Sequence, residues 1–75
     1  MLPDLERKLL RILVNFSLQQ RRMPMMGELT RKTGRKDKDL LDGLRRLERE
    51  RYIEWPDPPN PQNIRILEIS DREAL

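Results

Sequence analysis

Met25-Met26-Gly27-Glu28-Leu29-Thr30-Arg31-Lys32-Thr33-Gly34-Arg35-Lys36-Asp37-Lys38-Asp39-Leu40-Leu41-Asp42-Gly43-Leu44-Arg45-Arg46-Leu47 leads, through Glu48-Arg49-Glu50-Arg51, into Tyr52-Ile53-Glu54-Trp55. The first part reads as a short helix over 26–33 anchored by Leu29. It closes at Gly34, the residue type that most readily takes a left-handed cap conformation. A second helix is predicted over 37–51, with Asp37 as its amino-terminal cap or first-turn acid. Leu40, Leu44 and Leu47 share one face of it, and the opposite face gathers Lys38, Asp42, Arg45 and Arg49, with Arg46 flanking. Gly43 weakens this helix by about 1 kcal/mol relative to alanine, so a neighbouring helix is expected to approach closely there. At Tyr52 the period changes from 3.6 to two, and a strand is expected over 52–55. The order is helix, turn, helix, strand.

On the amino-terminal side, Pro3 suits a first helical turn and Asp4 complements the positive helix end, predicting a helix over 3–20. Leu5, Leu9, Ile12, Leu13 and Phe16 form its core stripe. Leu10, Val14 and Leu18 form a second stripe that the three-helix core does not need. They are the expected interface of a homodimer, against the alternative that the carboxy-terminal tail folds back over them. Arg21-Arg22-Met23-Pro24 breaks the helix, because proline disfavours helical geometry in Met23 and has no amide to donate. Met25 and Met26 read as gap-filling core or interhelix residues and not as ligands.

On the carboxy-terminal side a second strand is expected over 64–69. The connection, Pro56-Asp57-Pro58-Pro59-Asn60-Pro61-Gln62-Asn63, is too rich in proline to pair and should project as a semi-rigid flap. Ser70-Asp71-Arg72-Glu73 has the spacing of a capping box, predicting at most one further helical turn. The whole, 1–75, reads as one α+β domain.

Composition narrows the function classes. With 36% apolar and 39% charged residues in 75, a small core under a highly charged surface is expected. No cysteine or histidine is present, which removes disulfides and the usual Cys/His zinc sites. Neither a metal nor a cofactor is expected. Ser17 and Ser70 have no evident base and there is no glycine-rich phosphate loop, so an enzyme is not expected either. No run approaches the roughly 18 apolar residues of a membrane span, and a cytoplasmic location is expected. The net charge is only +3, but cations concentrate between positions 31 and 51 in excess over Asp37, Asp39, Asp42, Glu48 and Glu50. Such a balance suits a polyanion.

From about Leu5 to Ile69 the chain resembles a winged helix-turn-helix domain, similar in layout to the amino-terminal domain of LexA-type repressors and the core of MarR-type regulators. The resemblance rests on the Met23-Pro24 break, Leu29, Gly34, the Leu44-Arg45-Arg46-Leu47 run and Tyr52-Ile53-Glu54. It implies a double-stranded DNA-binding transcription regulator with its third helix in the major groove, and no self-cleavage, since a serine-lysine peptidase domain is lacking. The chain departs from the pattern in three places. Arg51 stands where glycine usually ends the third helix, so that corner is expected to be strained or differently capped. Asp37, Asp39 and Asp42 stand where small hydroxyl or amide residues are common, and the wing tip has no Lys or Arg.

Under this reading Lys38, Asp42 and Arg45 lie nearest the base edges, while Arg31, Lys32, Arg35, Lys36, Arg46 and Arg49, with Arg65 on the wing, meet phosphates. A carboxylate such as Asp42 repels phosphate yet accepts from the cytosine amino group. The competing reading is a protein-binding winged helix that uses the proline-rich wing, Trp55 and the extra stripe of the first helix.

Overall fold

The computed structural model describes residues 2–70 and has the α+β architecture expected: three helices followed by a two-stranded antiparallel sheet, in a winged-helix-like layout. The helices are α1 (Asp4–Gln19), α2 (Met26–Thr33) and α3 (Asp37–Arg49); the strands are β1 (Ile53–Glu54) and β2 (Arg65–Ile66). The capping-box spacing at 70–73 runs into residues outside those described, as does Leu75.

Helix α1 packs chiefly against α3, and the reason is visible at Gly43. A Cβ placed there would stand 2.7 Å from Leu9 Cδ1, so the missing side chain is what lets the two helices close. Around this contact Leu9, Leu13, Leu29, Leu40, Leu44 and Leu47 are fully buried, and Tyr52, Ile53, Trp55 and Ile64 complete the core from the sheet side. Burial of the α3 leucines places that helix in the predicted rotation, with Lys38, Asp42, Arg45, Arg46 and Arg49 exposed.

All three helix breaks bend the chain through the left-handed region. Arg21 has φ 56° just beyond α1, and Pro24, buried, then starts the approach to α2. Gly34 caps α2 at φ 70°, with its amide on the Thr30 carbonyl at 2.8 Å. The third break differs from the expected extent of α3, which ends at Arg49 and not at 51. Arg51 sits at φ 64°, its amide donates to the Glu48 carbonyl at 3.0 Å, and the Tyr52 amide donates to the Leu47 carbonyl at 2.9 Å. These two bonds make a Schellman motif with arginine in the position glycine prefers. The strain expected at this corner is present, and Tyr52, buried beside Leu47, is its apolar clasp.

The strands are shorter than the periodicity predicts. Only Ile53–Ile66 and Glu54–Arg65 pair. The ladder stops early because Tyr52 belongs to the helix cap and its carbonyl accepts from both the Leu67 and Glu68 amides, at 2.8 and 3.1 Å. At the other end the proline-rich segment does not project as a flap. Pro61 is buried in a 3-10 turn (Pro61–Asn63), the Pro58–Pro59 bond is cis, and the Trp55 indole donates to the Asn60 carbonyl at 2.9 Å. The loop is folded back over Trp55.

The second stripe of α1 also comes apart. Leu10 is 2% exposed and belongs to the core; Val14 is half-buried against it, and Leu18 is 74% exposed. The expectation of a dimer interface on Leu10, Val14 and Leu18 is corrected at Leu10, because α1 packs over a wider arc than its main stripe. Ile69 and Ser70 border the same groove as Leu10 and Val14, so the returning chain runs beside this side of the helix. Met25, read as core, is 56% exposed, while Met26 does pack against the core.

Candidate nucleic-acid interface

The cations around α3 sort into three groups by what holds them. Arg46 and Arg65 are paired: Arg46 Nε lies 3.0 Å from Glu50 Oε2 one turn on, and Arg65 Nη2 lies 2.9 Å from Glu54 Oε1 across the strand pair. Their charges are largely cancelled locally. Lys32 is turned away, with its ammonium 5.6 Å from the Phe16 ring of α1, whereas Thr30, on the other flank of α2, stands 3.1 Å from Asp37 of α3. Lys32 therefore belongs to the α1 side of α2, and the expectation that it joins the other cations of the site is corrected.

The remaining residues, Arg31, Arg35, Lys36, Lys38, Arg45 and Arg49, are exposed and have no carboxylate partner among the described residues. Arg31 points away from Leu29 at the end of α2. Arg35 and Lys36 occupy the turn set by Gly34, where the Arg35 amide donates to Thr33 Oγ1 at 3.2 Å. Lys36 is the residue before α3, and Lys38 lies in its first turn. Cations at a helix start oppose the helix dipole, and the first-turn acids Asp37 and Asp39 offset them only in part. The four unpaired groups in and beside the turn thus stand at a helix end whose free amides also favour an anion.

Further along α3, Asp42 is exposed within this cationic face, and no ion pair to it forms among the described residues. Arg45, one turn on, lies with its guanidinium carbon 5.9 Å from the centre of the Trp55 ring. Trp55 is 3% exposed. A protein-docking role for it is corrected by this burial: the indole faces inward and supports a wing that folds under Arg45. The sequence carries no signal for this contact, since Arg45 and Trp55 lie on elements whose relative placement depends on the Arg51 corner.

The approach of α2 to α1 is fixed by a residue outside the cationic face. Arg22 donates through two nitrogens to both carboxylate oxygens of Glu28, each at 2.9 Å, and to the Met23 carbonyl at 3.1 Å. Its guanidinium carbon is 5.2 Å from the Phe16 ring centre. The Arg22 hydrogen bonds, followed by that of the Met25 amide, lower the Glu28 carboxyl to about 2. This clamp sets the direction of α2 and, through it, the turn that carries Arg35 and Lys36.

Among the described residues no group of His, Cys, Asp and Glu is arranged to hold a metal ion. No helix there is long and apolar enough to cross a membrane. Compared with known protein families and with curated proteins, the chain matches none.

Proposed function

We infer that this domain binds double-stranded DNA as a winged-helix regulator in the cytoplasm, with α3 in the major groove and the turn before it on the phosphate backbone. The observation that carries the reading is a set of six exposed cations, Arg31 in α2 and Arg35, Lys36, Lys38, Arg45 and Arg49 along α3 and its leading turn, none of which forms an ion pair among the described residues. Like charges close along one helix and its leading turn repel one another, and a polyanion relieves that repulsion. A helix with an exposed outer face about 20 Å long, at 1.5 Å per residue, fits a groove about 12 Å wide. The competing protein-docking reading draws on the proline-rich wing, Trp55 and the Leu10, Val14 and Leu18 stripe; Leu18 is exposed, but Trp55 and Leu10 are buried, which leaves that reading less well supported.

The test is duplex affinity measured against salt. With about six phosphates neutralised, log affinity should fall against log salt with a slope near −5. Failure to bind at low salt, or a flat response, would remove the proposal.

A further inference from the structure

Arg45 and Trp55 suggest what this face reads. Resting on the duplex proposal above, we propose that Arg45 is the specificity-determining residue for a guanine in the major groove, and that Trp55 with its folded-back loop is the positioning residue that holds it.

Phosphate contact and base contact ask different things of an arginine. A phosphate can be met by a mobile point charge, whereas guanine O6 and N7 are two acceptors at fixed spacing that a planar guanidinium fork matches better than the point charge of an ammonium. Among the described residues, Arg35, Lys36 and Lys38 have no contact that would fix their head groups. The Arg45 guanidinium carbon lies over the indole ring, 5.9 Å from its centre, a cation–π contact that narrows the positions the side chain takes and leaves its donors unpaired among the described residues. The indole is itself fixed: it is 3% exposed and its Nε1 donates to the Asn60 carbonyl at 2.9 Å. Wing and helix are thereby joined at the side chain that would read the base.

Asp42 supplies the second argument. It lies three residues before Arg45 on the same exposed face, with no cation paired to it among the described residues. A carboxylate there is repelled by the phosphate backbone, so this part of α3 is suited to base edges. The major-groove group it fits is the amino group of cytosine, and cytosine pairs with the guanine that Arg45 fits. Guanine and cytosine at adjacent steps are the expected targets.

The experiment starts by selecting duplexes from a library with a randomised core, using the full chain. The best duplex is then remade with 7-deazaguanine, which lacks the N7 acceptor. Wild type should prefer the guanine duplex by about 2- to 13-fold, the share of one of the two hydrogen bonds in a bidentate contact. Arg45→Lys, which keeps the charge and the salt slope but loses the planar fork, should lower that ratio several-fold. Trp55→Leu should do the same, and should add nothing in the Arg45→Lys background. Trp55→Phe keeps a ring face and should retain most of the preference. A merely structural role for Trp55 would instead weaken both duplexes equally and overturn its assignment.

Where Trp55→Leu does not fold, the pair is tested without DNA, because Trp55 is the only tryptophan of the chain. Arg45→Ala should change its emission, and unchanged emission would overturn the stack. A wild type that binds both duplexes equally with the full salt slope would overturn the guanine assignment and leave the duplex reading standing. Absence of salt-dependent binding to any duplex would remove both.

Discussion

Replacing Arg51 by glycine should stabilise the domain, although the side chain is exposed at the rim of an open surface groove and its loss creates no contact. Arg51 sits at φ 64°, a conformation that costs an L-residue roughly 1 to 2 kcal/mol because Cβ crowds the neighbouring carbonyl. Glycine removes that cost but gains freedom in the unfolded chain, worth about 0.5 to 1 kcal/mol in the other direction. The side chain is exposed and has no ion pair among the described residues, so nothing else is lost. The net gain lies between about 0 and 1.5 kcal/mol, and its midpoint near 0.7 kcal/mol raises Tm by about 3 to 6 °C for a domain of this size. Far-ultraviolet circular dichroism during heating and urea titration measures it. Arg51→Ala is the control: it removes the same charge but keeps the strained backbone, and should lie within about 0.5 kcal/mol of wild type. If Arg51→Gly gains no more than Arg51→Ala, the effect belongs to charge and the conformational argument fails.

Leu44→Ala should cost about 2 to 5 kcal/mol because Leu44 is fully buried, whereas Arg45→Ala should cost under about 1 kcal/mol, the value of an exposed cation–π contact; equal losses in urea midpoint would mean that α3 is wrongly rotated. Gly43→Ala should lower stability by about 1 kcal/mol, because crowding of about 1 to 3 kcal/mol against Leu9 outweighs a helix-propensity gain of about 1 kcal/mol. A rise in urea midpoint for that variant would show that Leu9 has room to move. Glu28 titrates near 2 in the fold against an ordinary 4.5, so its contribution is fully present above 4.5 and fades as pH falls towards 2. The stability difference between wild type and Glu28→Gln, followed by urea titration, should shrink across that window; a constant difference would contradict the Arg22 clamp.

Where local chemistry decides, the sequence was readable. Pro24 and Gly34 mark breaks that any folded context must respect, and the leucines of α3 can be buried together in only one rotation. Gly43 and Arg51 were legible as departures from local preference, and each has a tertiary cause: the approach of Leu9 in one case and the helix corner in the other. What could not be read depends on distant parts of the chain. Leu10 looked surplus because periodicity reports the centre of a buried arc and not its width. Trp55 looked available because a period-two pattern does not reveal that the following prolines turn back over it. For Lys32, charge shows a cation but not that an aromatic ring on α1 draws it away from α3. The split of the basic residues into paired, diverted and unpaired groups needs three-dimensional neighbours.

The brevity of the sheet has a consequence for how the molecule assembles. Two residue pairs supply too few ladder hydrogen bonds to hold a hairpin alone, since isolated two-stranded hairpins are marginal even when longer. The β-ribbon therefore persists only where Ile53, Trp55 and Ile64 already have a leucine surface to enter. Helices precede ribbon in such a hierarchy, and the ribbon is the first part to detach when the domain opens locally. In amide hydrogen exchange, the Leu67 and Glu68 amides, anchored on the Tyr52 carbonyl, should exchange sooner than those at the centre of α3. Local opening of this kind would release Trp55 and the loop over it while the leucine face of α3 stays packed.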